Sequence, residues 1–356
     1  MNLADPSLIT ALDKGQALES LKSLPNQIDQ AWKEASEIKF PSEYKSAKNI
    51  VIAGMGGSIY GGRIVKSLYD TAANSKVPIC IANGYSLPGF VDKNTLVILS
   101  SYSGTTEETL ECGKQAIEKG ALITGVTSGG LLGSFLTEKN LPAYIFDPQY
   151  NPSSQPRMGG GYMIIGLIAI LAKLGYIPVG EEEIKNIVSF LKKKSDALLP
   201  DVNSNSNKAK QIALKYKDRI PVTIAADFLE GAAHAIRNPI HETAKQFGLY
   251  FTIPELNHHL LEGLKFPEKA HQLLYFVFIE SALYHERNQK RLTLTKDIVA
   301  KNDYETLSLR LEAPSALAQT MELIQLGSWI SFYLAILNGI DPSPVPWVDY
   351  FKKNLS

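Results

Sequence analysis

The chain has 356 residues, which exceeds what one small hydrophobic core needs and is typical of two domains. Its content of 45% hydrophobic and 20% charged residues is that of an ordinary globular protein. The 36 basic and 36 acidic residues balance, so the total charge shows no attraction to nucleic acid. Two cysteines in apolar or helical surroundings argue against a disulfide framework and for a reducing compartment.

The N-terminus and the most apolar segment indicate where in the cell the protein resides. The N-terminus lacks a basic start followed by an apolar core, so we expect no secretory signal. Residues 158–175 are uncharged only up to Lys173, about 15 residues, which is short of the roughly 20 that span a bilayer. We therefore predict a buried helix there and a cytoplasmic protein with no membrane partner.

Residues 1–45 predict a helical N-terminal segment, because apolar side chains recur there at spacings of three and four residues. These side chains are Leu18, Leu21, Leu24, Ile28 and Trp32. We expect the segment to contribute to domain packing or to a subunit contact.

From residue 49 onwards, short apolar strands alternate with helices. Strands are predicted within 49–58, 77–84, 95–104, 121–130, 142–147 and 220–226, and helices within 61–70, 105–120 and 158–175. A polar, Ser/Asn-rich stretch interrupts this alternation at 198–210. The pattern predicts an α/β protein with two doubly wound parallel sheets flanked by helices, in domains at 46–180 and 181–356, the second starting with a linker helix.

The turn "GMGGS", residues 54–58, joins a strand to a helix and is suited to an anion. Glycines allow the backbone to come close to a ligand, and the helix start offers unpaired N–H groups. A dinucleotide fingerprint would need glycine where Ile59 stands, and no Gly-Lys-Ser/Thr sequence completes a P-loop. Gly56, Gly57 and Ser58 are therefore candidates for binding a smaller anion.

A second such turn, "SYSGTTEE" at residues 101–108, is rich in hydroxyl groups. Ser101, Ser103 and Thr106 could each donate a hydrogen bond to a phosphate oxygen. A helix cap formed by Thr105 or Thr106 is the alternative explanation. Two such turns at the carboxyl ends of strands in one sheet favour a phosphate site.

A stretch rich in glutamate and histidine, residues 238–268, lies in the second half of the chain. The pattern H-E-x-x-H fails, because the position that needs the second histidine is Lys245. A metal site built from other side chains stays open, and its ligands would be His241, Glu242, His258 and His259. A glutamate on a helix beside clustered histidines is also what proton-transfer catalysis needs.

Five motifs occur in the order found in the family of bifunctional phosphoglucose/phosphomannose isomerases, which contain two sugar isomerase (SIS) domains. They are "GMGGS", "SYSGTTEET", Arg157 within "SSQPRMGGGY", "HETAK" and "PELNHH". The chain resembles this family from about residue 48 to its C-terminus. It departs from the family pattern at His241 and His259, where asparagine is usual.

The resemblance implies an isomerase that exchanges glucose 6-phosphate and mannose 6-phosphate with fructose 6-phosphate through a cis-enediol. Glu242 matches the base, and Arg157 matches the arginine near the developing enediolate. His258 matches a ring-opening histidine that the neighbouring subunit supplies, which implies a homodimer with shared active sites. The positions matching the sugar- and phosphate-binding residues are Ser58, Ser101, Ser103 and Thr106. No metal or cofactor is implied.

The family also carries a ring-opening lysine near its C-terminus, for which Lys352 and Lys353 are candidates. If Ser343 caps a helix that begins with Pro344, one apolar face follows from helical spacing. That face holds Trp347, Val348, Phe351 and Leu355. Lys352 then lies on its flank and Lys353 points away, so Lys352 is the predicted residue. The alternative is two solvated lysines at a helix C-terminus.

Two other functions would use the same phosphate turns. A non-catalytic SIS regulator would bind a sugar phosphate without needing Glu242, His258 and a C-terminal lysine together. The isomerase half of a glucosamine 6-phosphate-forming amidotransferase would accompany a glutaminase domain with an N-terminal cysteine, and this chain has neither.

Overall fold

The computed structural model describes residue 3, residues 6–69 and residues 76–355. The predicted helix over 61–70 ends at Asp70, which lies outside the described residues.

The N-terminal segment is helical, as predicted. Its helices are α1 (Pro6–Leu12), α2 (Ala17–Lys22) and α3 (Leu24–Ser36). The buried Gln27 ties α3 to the rest of the protein, because its amide donates to the carbonyls of Tyr150 and Met158 at 3.0 and 2.9 Å. The amide of Gly161 donates to the Gln27 side chain in return, at 3.2 Å. The segment is therefore an integral part of the folded core.

The first sheet is fully parallel. It consists of β1 (Asn49–Gly54), β2 (Ile79–Ala82), β3 (Thr95–Ser100), β4 (Leu122–Thr127) and β5 (Tyr144–Ile145), in the order β2-β1-β3-β4-β5. Its helices are α4 (Gly56–Tyr69), α5 (Glu107–Glu118), α6 (Gly130–Glu138) and α7 (Gly160–Lys173). Helices cover both faces: Ile50 and Ile52 belong to one buried cluster, whereas Val51 and Ala53 belong to another. This confirms the predicted doubly wound architecture.

The second half begins with α8 (Glu181–Asp196) and α9 (Lys208–Tyr216). Its parallel sheet consists of β6 (Ile220–Ala226), β7 (Leu249–Ile253), β8 (Leu274–Glu280) and β9 (Glu305–Arg310), in the order β7-β6-β8-β9. The remaining helices are α10 (Glu230–Glu242), α11 (Ala270–Leu273), α12 (Glu286–Lys301), α13 (Ala316–Leu337) and α14 (Pro346–Leu355). In both sheets the first four strands in chain order are arranged second, first, third, fourth. This structural repeat has no counterpart in the amino-acid sequence.

Short 3₁₀ helices complete the described secondary structure. They span Ser42–Ser46, Pro156–Met158, Asp227–Leu229, Glu255–His258 and Glu262–Leu264.

Helices α4 and α10 pack directly against each other between the two sheets. A Cβ atom on Gly231 of α10 would lie 2.5 Å from the carbonyl oxygen of Arg63 on α4, so the backbones approach as closely as glycine allows. The Ser67 hydroxyl also donates to the Phe228 carbonyl at 3.0 Å and accepts from the Gly231 amide at 3.2 Å. The predicted division at 180/181 falls where α8 begins and stays a prediction.

Two apolar helices form the interior. Every residue of α7 from Gly160 to Leu171 is buried, as predicted for the segment 158–175. Within the described residues, α13 alone is long and apolar enough to cross a membrane, and 94% of its most apolar stretch is buried inside the protein. It is therefore packed as a core helix.

Candidate active site

A cleft of about 480 Å³ lies where β1 and β3 end, between the first sheet, the end of α10 and the C-terminal helix α14. Eight of the ten site residues predicted from sequence line it, although they come from five separate parts of the chain. They are Gly56, Gly57, Ser58, Ser103, Thr106, Arg157, Glu242 and Lys352. The other two, Ser101 and His258, do not line this cleft.

The glycine turn forms one wall of the cleft. Gly56 begins α4 with a φ of 51°, a left-handed conformation that favours glycine. The Ser58 hydroxyl accepts a hydrogen bond from the Tyr102 amide at 2.8 Å, and the Ser58 carbonyl accepts one from the Ser100 hydroxyl at 2.9 Å. These bonds fix the glycine turn to the hydroxyl turn, so the two helix starts face the same space.

The hydroxyl turn forms the adjacent wall. Gly104 has a φ of 69°, and a Cβ atom there would lie 1.9 Å from the carbonyl oxygen of Gly129, so only glycine fits. The hydroxyls of Ser103 and Thr105 are 3.0 Å apart. Thr106 precedes α5, but its side chain does not cap that helix. The first N–H groups of α5 therefore have no side-chain partner at Thr106, which suits an incoming anion.

Ser101 stabilises the hydroxyl turn through hydrogen bonds within the turn. Its side chain is buried, and its hydroxyl lies 2.8 Å from the Thr106 hydroxyl and accepts from the Gly104 amide at 3.1 Å. Both bonds hold the turn in shape. Ser101 thus positions Thr106, while Ser103 and Thr106 present their own side chains to the cleft.

Arg157 lies at the bottom of the cleft and is almost fully engaged with the protein. Its Nε donates to the Thr243 hydroxyl at 2.9 Å, and its Nη1 donates to the Gln155 side chain at 2.9 Å. Its Nη2 donates to two backbone carbonyls, those of Pro342 and Ser343, at 2.7 Å each. Four of the five guanidinium N–H groups are thereby used, which leaves one on Nη1.

Glu242 is the last residue of α10, and its carboxylate approaches that remaining donor. Its Oε2 lies 3.6 Å from Arg157 Nη1, and 30% of its side chain is exposed. Burial raises the pKa of the Glu242 carboxyl, although the positive charges of Arg157, His241 and Lys352 oppose this. A carboxylate with a raised pKa, held beside a fixed cation, is suited to accept a proton.

The C-terminal helix α14 closes the cleft, and its predicted start and cap were wrong. α14 begins at Pro346 and not at Pro344, since the Asp349 amide donates to the Val345 carbonyl, and Ser343 is no cap. The reason is that a residue before proline disfavours helical angles, so Val345, which precedes Pro346, interrupts a helix that would begin at Pro344.

The predicted apolar face of α14 meets the cleft through three of its four residues. Trp347 is 80% exposed and does not line the cleft, whereas Val348, Phe351 and Leu355 do. Lys352 lies among these three and reaches the cleft, and Lys353 does not. The spacing argument therefore placed the two lysines correctly in space, even though it started the helix two residues too early.

This cleft can be compared with known proteins. A bifunctional phosphoglucose/phosphomannose isomerase from Caldicellulosiruptor bescii is 33% identical over 340 residues, which cover 95% of this chain and 98% of that protein. The chain belongs to the bifunctional phosphoglucose/phosphomannose isomerase family. It is accordingly an isomerase. Residues 205–355 also match the bacterial phospho-glucose isomerase C-terminal SIS domain.

Two solved structures agree with this fold. A hypothetical protein from Thermus thermophilus superimposes with a TM-score of 0.76 at 14% identity, covering 99% of this chain and 92% of that one. The tagatose-6-phosphate ketose/aldose isomerase from Escherichia coli superimposes with a TM-score of 0.69 at 13% identity, covering 92% and 94%. At these identities the likeness shows the shared SIS architecture alone.

The histidines of this family member lie away from the cleft of their own chain. His258 is exposed in the 3₁₀ helix that follows β7. His241 turns towards Gly248, whose carbonyl oxygen is 2.9 Å from its Nε2, and stacks on Phe247. Across the residues that the structure describes, no three His, Cys, Asp or Glu side chains are grouped to hold a metal ion.

Three residues beside the predicted ones hold the elements around the cleft. Gln155 and Thr243 hold the Arg157 guanidinium, and Lys245 donates to the Asp341 carbonyl at 2.9 Å. Burial and the charge of Arg157 lower the pKa of Lys245 to about 8. Gln155, Thr243 and Lys245 each lie within three residues of a predicted site residue, inside the motifs "SSQPR" and "HETAK". This proximity is the sequence signal that could have identified them. Arg157 and Lys245 together hold the segment 341–343 that leads to α14.

Proposed function

We propose that this isomerase interconverts glucose 6-phosphate and mannose 6-phosphate with fructose 6-phosphate by metal-free proton transfer through a cis-enediol. The observation that carries the proposal is the position of the Glu242 carboxylate, 3.6 Å from Arg157 Nη1 in a cleft walled by the glycine turn and the hydroxyl turn. Family membership supports the same chemistry.

The glycine turn and the hydroxyl turn of the cleft hold the substrate phosphate. Ser103 and Thr106 donate from their hydroxyls, and the starts of α4 and α5 contribute backbone N–H groups. Since these groups are joined by hydrogen bonds between the turns, the phosphate is fixed and the sugar carbons extend towards α10 and α14.

Glu242 performs the proton transfer. Its carboxylate takes the proton from C2 of the open-chain aldose, the electron pair forms the C1–C2 double bond, and the carbonyl oxygen becomes the enediolate oxygen. The proton of the C2 hydroxyl moves to O1, and Glu242 returns its proton to C1 while the C2–O bond becomes the carbonyl, which gives the ketose. The charges of Arg157 and Lys352 stabilise the developing negative charge, because a preorganised cation needs no rearrangement during the step.

Ring opening and assembly complete the proposal. Lys352 reaches the cleft from α14, and His258 of a second copy would supply the ring-opening histidine. The exposed position of His258 outside its own cleft supports this sharing, and hence a homodimer. We place the enzyme in the cytoplasm.

A coupled assay of purified protein with fructose 6-phosphate tests the function, with glucose 6-phosphate and mannose 6-phosphate scored separately. We expect both products at rates that EDTA leaves unchanged. Absence of both would favour the non-catalytic sugar-phosphate-binding regulator. Loss of activity in EDTA that added metal restores would contradict the metal-free mechanism.

Thr106→Val removes a phosphate donor while preserving the shape of the side chain. A hydrogen bond to a charged group contributes about 1.5–3 kcal/mol, so we expect KM for fructose 6-phosphate to rise roughly ten- to hundredfold. Initial-rate kinetics measure this, with Thr137→Val on the exposed end of α6 as the matched control. An unchanged KM would remove Thr106 from the phosphate site.

Substituting each of the two C-terminal lysines in turn distinguishes their roles. Lys352→Met is expected to lower kcat/KM at least about tenfold, because it removes a cation that faces the enediolate. Lys353→Met, the matched control, is expected to change it less than about twofold. If Lys353→Met were the more damaging variant, the assignment would be reversed.

Mixing two inactive variants tests the shared sites. Glu242→Gln and His258→Gln homodimers each carry one defect in every site. A mixed dimer concentrates both defects in one site and leaves the other intact, so random subunit exchange should restore about a quarter of the wild-type activity. No recovery, with subunit exchange verified by a tagged copy, would show that His258 does not act across the interface.

A further inference from the structure

The turn between α1 and α2 packs against the strap, the segment 341–345 that leads into α14. A Cβ atom on Gly15 in this turn would lie 2.2 Å from Ser343 Oγ and 2.5 Å from Ser343 Cβ. Real side chains do not pack this closely, so the turn and the strap approach as near as a glycine allows. Two segments more than 300 residues apart in the chain therefore meet at one point beside the active site.

Hydrogen bonds within the turn hold Gly15 in place. The Asp13 carboxylate accepts from the amides of Ala17 and Leu18 at 2.8 Å each, which satisfies the first N–H groups of α2. The Asp13 amide donates to the Ile9 carbonyl at 2.8 Å. Because both ends of the turn are fixed, Gly15 presents a defined surface to the strap.

Helix α2 connects this turn to the part of the protein that holds Arg157. The hydroxyl of the buried Ser20 accepts from the Ser153 amide at 3.0 Å, and its carbonyl accepts from the Gln27 side chain at 3.3 Å. Ser20 and Arg157 also line the same small cavity. The turn thus belongs to the same packed region as the arginine of the cleft.

The other bonds of the strap act on its backbone. Lys245 donates to the Asp341 carbonyl, and Arg157 donates to the carbonyls of Pro342 and Ser343. The Ser343 amide donates to the Asp341 carboxylate at 2.9 Å. Within the described residues, the buried Ser343 Oγ has no hydrogen-bond partner. The Ser343 side chain therefore meets Gly15 by packing alone.

The position of α14 depends on the strap. The structure describes all of Pro346–Leu355, and none of these residues is buried. Val348, Phe351 and Leu355 face the cleft, which substrate must also enter. A displacement of the strap is therefore passed on to α14 and to Lys352.

We propose that Gly15 is a positioning residue for the isomerase reaction, since it lets the N-terminal turn fix Ser343 of the strap and thereby the place of Lys352 in the cleft. This inference rests on the proposed function of Lys352. It gives the N-terminal segment a role in the active site of its own chain. A side chain at position 15 would move the strap, and a catalytic group misplaced by about 1 Å can lower a rate about a hundredfold.

Gly15→Ala tests the contact directly. We expect kcat for fructose 6-phosphate to fall at least about tenfold, because the added methyl group displaces the strap. Binding of inorganic phosphate, measured by calorimetry, should change less than about twofold, since Ser103 and Thr106 lie on other walls of the cleft. Gly89→Ala is the matched control, because Gly89 is exposed and no atom lies within 4 Å of the added methyl group.

Two double variants separate positioning from a general loss of structure. Ser343→Gly removes both atoms that the new methyl group meets, so Gly15→Ala should lower kcat less than about twofold in that background. Ser343→Ala keeps the Cβ atom and should relieve the defect less. In a Lys352→Met background, Gly15→Ala should again lower kcat/KM less than about twofold, because the group it acts through is gone.

Two further measurements do not depend on that substitution or on turnover. Asp13→Ala loosens the turn without adding bulk, so it should lower kcat in the same direction even if Gly15→Ala does not fold. Trypsin cleavage after Lys352 and Lys353 follows α14 without substrate, and Gly15→Ala should accelerate it at least about fivefold. Faster cleavage in a chain that lacks isomerase activity would contradict the proposed function and still support the contact between turn and strap.

Three results would overturn the inference. One is a wild-type kcat and a wild-type cleavage rate in Gly15→Ala. Another is a loss of activity in Gly15→Ala that Ser343→Gly does not relieve. The third is a loss that multiplies fully with that of Lys352→Met, which would show that the turn does not act through α14.

Discussion

Glu242→Gln should lower kcat by about 10²- to 10⁴-fold, the range that a positioned general base contributes. The amide keeps the size of the side chain but cannot accept a proton from carbon. Binding of fructose 6-phosphate should change little, because the phosphate donors lie on the other walls of the cleft. Steady-state kinetics and direct binding measurements separate the two effects.

The folded state should tolerate this change well. Because burial raises the pKa of Glu242, the ionised carboxylate costs stability once the pH rises above its unfolded pKa near 4.5. The neutral amide avoids that cost, so the Tm at pH 7 should not fall. Glu138→Gln on the exposed end of α6 is the matched control. Full activity of Glu242→Gln would show that another group is the base.

The same pKa shift predicts the pH dependence of the wild-type enzyme. The base must be ionised to act, and its pKa is raised, so kcat/KM should fall with decreasing pH at a value above 4.5. In the protonated form Glu242 cannot accept the C2 proton.

Arg157→Lys is expected to have the largest effect on stability. A lysine keeps the charge but cannot reproduce the fork that binds Thr243, Pro342 and Ser343 together. The substitution leaves buried acceptors unsatisfied beside a displaced charge, and the free energy of unfolding should fall by about 3 kcal/mol or more. Activity should fall as well, since the segment leading to α14 loses its anchor.

Chemical denaturation of Arg157→Lys and of the control Arg310→Lys measures this. Arg310 is exposed at the end of β9, so its substitution should change stability by less than about 0.5 kcal/mol. Similar values for the two variants would show that the hydrogen bonds of Arg157 contribute little.

Sequence reasoning located the strands of the first sheet and β6 because each is a short apolar run followed by a turn, a signal that lies within a few residues. It did not locate β7, β8 and β9 individually. The segment 220–226 matches β6 residue for residue. The shared order of the two sheets was not accessible in the same way. It depends on which strands pair, and these pairings leave no common residues in the two halves.

The features of the site that sequence reasoning did not provide depend on tertiary contacts. Ser101, Ser103 and Thr106 are alike as hydroxyl residues, and only the packing of Gly104 against Gly129 decides that Ser101 lies beneath the turn. From the sequence, Arg157 is likewise expected to be a catalytic cation without structural partners. Its carbonyl partners at 342 and 343 are 185 and 186 residues away in the chain, so its structural role could not be foreseen.

The most direct test of proton transfer by Glu242 is the conversion of fructose 6-phosphate in D₂O, followed by NMR. The wild-type enzyme should form glucose 6-phosphate and mannose 6-phosphate that carry deuterium at C2. Glu242→Gln should neither convert the substrate nor exchange its C1 hydrogen at a comparable rate. Products free of deuterium after many turnovers, or wild-type exchange in Glu242→Gln, would contradict the mechanism.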